Sequence, residues 1–237
     1  MTWLRDFFGS TVGRKAIMAV TGIILFGFLV GHLLGNLKLW LGAESLNHYA
    51  EGLRVLGDPI LPKYAAIWIA RIGLLGALVL HFWAAITLTL RNRKARPEKY
   101  KVWKAKSSDY ASRTMIWGGM IVLLFIVYHL LHLTVGSVHS DFIYGDVYHN
   151  VTVAFSDPLV ALVYIVANVA LGFHLYHGLW SLFQTLGFNG PRVNQWRRAF
   201  AIAFALIISV GNIMLPLSVL LGLVPVETAA AATLGGS

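Results

Sequence analysis

Cysteine is absent from this chain of 237 residues. Disulfides, thiolate ligation of haem, covalent c-type haem and cysteine-held iron–sulfur clusters are therefore excluded within it. The absence says nothing about compartment. Charge is also scarce: Asp, Glu, Lys and Arg make up 12% of the residues, against about 25% in soluble domains. Acids are the scarcer sign, ten against nineteen Lys and Arg, for a formal charge of +9. No phosphate-cradling glycine loop, metalloprotease motif or nucleophile–base arrangement is present. No fixed-period repeat runs along the chain.

What is abundant is apolar sequence, 57% of the residues. Long apolar runs, rather than a buried core, account for that share, so the chain reads as an integral membrane protein of one domain. Five runs stand out: about Lys15 to Trp40, Lys63 to Leu90, Arg113 to Val135, Pro158 to Leu186 and Ala199 to Leu221. Each has about 20 or more largely apolar residues, enough to cross the hydrocarbon as a helix. Only helices or closed barrels satisfy the backbone there, and barrel-type alternation is missing. The predicted fold is all-α, a bundle of five transmembrane helices over residues 1–222, with a low-complexity, disordered tail over 223–237. The first run is too long for a signal-peptide core, and no small-residue cleavage site follows it. The segment GAESLNHYAEGLRVLG after it has apolar residues near helical spacing and predicts a short surface helix.

Lys and Arg set the orientation. The connection RNRKARPEKYKVWKAK carries eight bases and one acid, and Arg5, Arg14, Lys15, Arg192, Arg197 and Arg198 fall on the same side. The stretch from Gly136 to Asp157 has no base and three aspartates. By the positive-inside rule the N-terminus is cytoplasmic, in a prokaryotic inner membrane, with the protein multi-pass. This distribution points the positive charge at the membrane, and no nucleic-acid partner is expected.

Four histidines, His32, His81, His129 and His174, lie deep in four separate runs. Ionisable side chains at such depth are costly and mark function by default. At 1.5 Å per residue, His32 and His129 each lie roughly 25 Å from the cytoplasmic boundary, on helices running outward. His81 and His174 lie roughly 25 Å from the outer boundary, on helices running inward. The four therefore form two level pairs, separated by roughly 10–15 Å. Two level histidines facing inward can hold one haem iron from both faces, as two b-type haems would require. With both axial positions filled, the remaining chemistry is one-electron transfer. A single intramembrane histidine can instead bridge helices by a hydrogen bond, but four at two matched depths are harder to reach by chance. His132 and His177 follow His129 and His174 by three residues and are rival ligands or partners to ligands. His48, His139 and His149 fall in outer connections and read as surface polar residues, with His48 a candidate contact for quinone. Arg71, level with His32 and His129, is a candidate for a haem propionate, or for snorkelling to the interface. The glycines Gly22, Gly27, Gly31 and Gly35 suit a flat haem or close helix packing. Asn212 and Pro216 are candidate kinks in the last run.

The stretches GFLVGHLLGNL, GAESLN, ALVLHFW, FIVYHLLH and GFHLYHGLWSLFQTLG, placed on these spans, resemble the cytochrome b membrane anchor of succinate dehydrogenase/fumarate reductase. The similarity is to the type with one large anchor, five spans and two haems. The resemblance implies His32 and His129 as ligands of the outer haem iron and His81 and His174 as ligands of the inner one, rather than His132 or His177. It further implies a flavoprotein and an iron–sulfur subunit as partners, with electrons passing to membrane quinone, usually menaquinone. Assembly of that complex into oligomers is compatible with it. Glu44 and His48 are candidates for quinone or proton handling. Nothing in the chain can perform dicarboxylate chemistry. The competing readings are a dihaem anchor of another respiratory enzyme, such as formate dehydrogenase or hydrogenase, and a haem-free transporter or proton pathway.

Overall fold

The computed structural model describes residues 2–95 and 108–226. Most of the basic connection and the tail from 227 onward lie outside the described residues. Helices follow in the order α1 Thr2–Gly9, α2 Thr11–Asn36, α3 Ala43–Arg54, α4 Ala65–Lys94, α5 Ser108–Leu130, α6 Val147–Ser156, α7 Pro158–Thr185 and α8 Pro191–Leu220. A tighter 3₁₀ stretch, Leu37–Leu41, extends α2, and a wider π-type stretch, Leu131–Val135, extends α5. No strand occurs among the described residues. Among the described residues, five helices are long and apolar enough to cross a membrane: α2 with its extension, α4, α5 with its extension, α7 and α8. The chain is an all-helical, multi-pass membrane protein.

Local chemistry sets the helix ends. Ser10 opens α2 by accepting the Gly13 N–H at 2.9 Å, as an N-cap should. Asp157 accepts the Leu159 N–H at 2.8 Å, and Pro158 at the first position of α7 has no N–H to leave unpaired. Asp146 opens α6 through the His149 N–H at 3.0 Å. Pro216 lies inside α8 without ending it. Asn212 donates to the Ile208 carbonyl one turn back at 2.8 Å and accepts at Oδ1 from the Asn36 side-chain amide at 3.3 Å, tying α8 to α2.

The spanning helices form two tight antiparallel pairs, α2 with α4 and α5 with α7, and α8 packs along α7 and α2. Among the described residues, the close approach between the pairs is that of α2 and α7. Where α7 meets α8, Ser209 donates to the Asn168 carbonyl at 2.7 Å, and a Cβ at Gly172 would come within 2.9 Å of the Ser209 hydroxyl oxygen. That crossing therefore needs glycine. Leu33, Leu175, Ala205 and Ile208 join α2, α7 and α8 in one apolar cluster.

On the side opposite the N-terminus, which we call the far side, α3 and α6 lie across the bundle. Asn47 donates to Asp146 at 2.9 Å and accepts the Tyr148 N–H at 3.0 Å, locking α3 to α6. Leu39, Leu46, Tyr148, Phe155, Tyr164 and Val219 close a second apolar cluster there. Val224 is buried in the same cluster, and the Pro225 carbonyl accepts from the Tyr148 hydroxyl at 2.9 Å. The surface helix expected after the first span is α3. Helix α6 arises in a stretch read above only as a connection, because Asp146 caps it and its apolar face covers the bundle.

Candidate functional site

The four membrane histidines meet in two pairs across the space between the helix pairs. His32 on α2 faces His129 on α5 with ring centroids 5.9 Å apart. His81 on α4 faces His174 on α7 at 6.4 Å. His81 lies level with Gly22, ten residues before His32 on α2. The two pairs are thus about 15 Å apart along the helix axis. The pair nearer the N-terminal side is the near pair, the other the far pair.

Each near-pair imidazole lies against a glycine of the neighbouring helix. A Cβ at Gly22 would come within 3.5 Å of His81 Cε1, and one at Gly119 within 3.4 Å of His174 Cε1. Larger side chains would push the rings away. At Gly27 and Gly31 an added Cβ would meet nothing within 4 Å. Of the glycines on α2 singled out above, Gly22 touches a histidine, and Gly35 lets Tyr49 of α3 approach. Gly119 was not foreseen. The signal for it is a shared spacing: Met18, Gly22, Phe28 and His32 recur in the same order and intervals as Met115, Gly119, Phe125 and His129. This similarity is confined to α2 and α5, too short and divergent to show as a repeat along the chain.

Hydrogen bonds fix one ring in the near pair. Thr21 directs its single hydroxyl proton to the Ile17 carbonyl at 2.7 Å. Its oxygen lies 3.1 Å from His81 Nδ1 and can only accept there. His81 therefore carries its proton on Nδ1 and keeps a bare lone pair on Nε2. His174 Nδ1 is buried without a hydrogen-bond partner of good geometry; the acceptor facing it is the Met115 carbonyl, one turn before Gly119.

The far pair is held differently. Phe28 stacks on His32 at 5.2 Å, and Phe125 packs beside His129 at 5.7 Å. The Tyr164 hydroxyl lies 3.4 Å from His129 Nδ1 and 3.0 Å from His132 Nδ1. His132 is buried, with its ring between those of Tyr128, at 5.1 Å, and His139, at 4.9 Å. His139 donates from Nε2 to the Asn150 carbonyl at 2.8 Å and accepts the Asp141 N–H at Nδ1. His149 is only 2% exposed and lies 3.2 Å from an Asp141 carboxylate oxygen. The expectation that His149 is a surface residue is therefore corrected, since α6 buries it on the far side, while His139 is half-buried. His48 is exposed, as expected, together with Glu44 one turn before it on α3. Neither is drawn to the histidine pairs. Arg71 is exposed, with its guanidinium 5.1 Å from the Trp68 ring. His177 is half-buried, its ring 4.8 Å from that of Tyr176 and outside both facing pairs.

Among the described residues no group of three or more His, Asp or Glu converges as a metal site built from protein ligands alone. A group with its own equatorial ligands needs only two. Two metal–imidazole bonds of about 2 Å each, plus two half-rings, separate ring centroids by about 6 Å. Both pairs match that separation, and both bridge helix pairs that scarcely touch. At each of the two levels the residues would fit a metal-bearing group held between two imidazoles.

The fold and these pairs define a helical membrane protein with paired intramembrane histidines. Residues 89–213 match the family described as succinate dehydrogenase/fumarate reductase transmembrane subunit. The chain belongs to that family, the membrane subunit of the succinate dehydrogenase/fumarate reductase complex. The match takes in His129, Tyr164 and His174 but stops short of His32 and His81. No curated protein and no solved structure matches the chain.

Proposed function

We propose that this subunit is a dihaem cytochrome b that carries electrons between an iron–sulfur subunit and membrane quinone. The observation that carries the reading is the geometry of the two facing pairs, each at the separation of two imidazoles on one iron. Haem, when bound, supplies one-electron transfer. The protein's part is to hold each imidazole, exclude water and keep the two centres in line. His81 presents Nε2 because its Nδ1–H donates a hydrogen bond to the Thr21 hydroxyl oxygen. His174 is kept in place by the close approach of Gly119, and His32 by the stacked Phe28. At the far level Arg71 is the cation available to a propionate, since its N–H fork makes no hydrogen bond to protein among the described residues.

The remaining assignments follow from charge and family. The N-terminal side, rich in Lys and Arg, is cytoplasmic and docks the iron–sulfur subunit of the complex. Quinone, of the menaquinone type, reacts on the far side, where exposed Glu44 and His48 on α3 are polar groups suited to handling its protons. The dicarboxylate chemistry belongs to the flavoprotein partner.

Redox difference spectroscopy with haem quantification on the purified protein tests the reading. Two low-spin b haems per chain are expected; fewer than two would overturn it. Co-purification of a flavoprotein with succinate–quinone or fumarate–quinol activity is expected, and a different soluble enzyme would redirect the assignment.

A further inference from the structure

Resting on the dihaem reading, we infer that Tyr164 is a positioning residue: its hydroxyl holds His129 as the far-pair ligand and locks His132 out of that role. Three facts converge. Tyr164 is 4% exposed, packed among Phe125, Tyr128, His129, His132 and Phe155. Its oxygen reaches Nδ1 of both histidines, at 3.4 and 3.0 Å. His132 is sandwiched between Tyr128 and His139 in the π-type stretch, while His129 faces His32.

The proton count assigns the roles. A tyrosine hydroxyl has one proton to give and lone pairs to receive. An imidazole that binds iron through Nε2 carries its proton on Nδ1. His129 must then donate to the Tyr164 oxygen, and the Tyr164 proton goes to His132 Nδ1, the shorter of the two contacts. His132 is thereby the Nε2–H tautomer, held as a structural acceptor. His129 and His132, three residues apart at the start of the widened turn, both bring Nδ1 to this one hydroxyl. Phe155 of α6 packs on Tyr164 at 4.9 Å, so the far-side helix holds the clamp in place. Thr21 performs the same service for His81, with the Ile17 carbonyl in the place of His132.

A hydrogen bond from Nδ1–H enriches the imidazole in electron density and favours ferric iron. Redox titration of Tyr164→Phe in the purified complex should therefore show both haems retained and the far-pair midpoint raised, with the near-pair midpoint unmoved. The low-spin electron paramagnetic resonance signal of the far haem should shift with it. Thr21→Val should move only the near-pair midpoint. Two haems with both midpoints unmoved in Tyr164→Phe would overturn the inference while leaving the dihaem reading intact. Fewer than two haems in the unaltered complex would overturn that reading, and the inference with it. His132→Phe keeps the ring stack and removes the Nδ1 acceptor, so it gives a second measurement if Tyr164→Phe does not assemble. Both haems should stay bound; loss of the far haem would mean that His132, not His129, is the ligand.

Discussion

The near and far pairs share a ring separation but are built by different means. The near pair is held by backbone: glycines on α2 and α5 let His81 and His174 lie almost on the neighbouring helix, and one threonine turns one ring. The far pair is held by side chains: Phe28, Phe125 and Tyr164 pack around it, and Tyr164 is joined to α6 by a hydrogen-bond contact to His132, the stack of His132 on His139, and the hydrogen bond from His139 to Asn150. A backbone-built site is intolerant of added volume. A side-chain-built site is sensitive to the loss of a ring or a hydroxyl, and to the stability of the helix that covers it.

The sharpest way to break the comparison is to delete one ligand from each pair. His174→Ala should remove the near haem and leave the far one, halving the b-type absorbance of the purified protein. His129→Ala should do the converse. Loss of both haems from either variant would show that the pairs assemble as one unit.

Added volume should separate the pairs next. Gly119→Leu drives a side chain into His174, and overpacking costs about 1–3 kcal/mol. Near-haem occupancy should fall, while the far haem stays. Gly27→Ala, where a Cβ meets nothing within 4 Å, should leave haem content unchanged and serves as the control.

The far side should respond to its cover. Asp146 both caps α6 and accepts from Asn47. Asp146→Ala should cost about 1–2 kcal/mol by the loss of a cap and a side-chain hydrogen bond. Detergent-melting curves followed at the two haem absorbances should show the far haem released earlier than in the unaltered protein, with the near haem little changed. The smallest effect is expected at Asp157→Ala. It removes only the exposed cap of α7, worth about 1 kcal/mol or less, and should lower the melting temperature slightly without distinguishing the haems.

Much of this architecture was legible before any coordinates. Runs of apolar residues in a charge-poor chain demand spanning helices, because lipid offers the backbone no other hydrogen-bond partner. Counting residues from the charged boundaries put His32 level with His129 and His81 level with His174, and these are the histidines that meet. What stayed hidden depends on contacts between distant segments. The stretch around Asn150 reads as a polar loop, yet it folds into α6 and buries His149. Tyr164 looks like one aromatic among many in α7. Its importance comes from two imidazoles that reach it from α5. Gly22 and Gly119 look like any other small residues of a membrane helix until the rings they admit are placed.

By itself the sequence determined where five helices long and apolar enough to cross a membrane fall, and at what level along them the histidines sit. Hydropathy and helical rise act along one chain and need no partner. Only the tertiary structure decided which residues orient the rings: Thr21 for His81, Tyr164 for His129, and the two glycines against which His81 and His174 lie. A hydrogen bond or a close approach is a relation between two helices. Neither helix carries the other's position in its own residues.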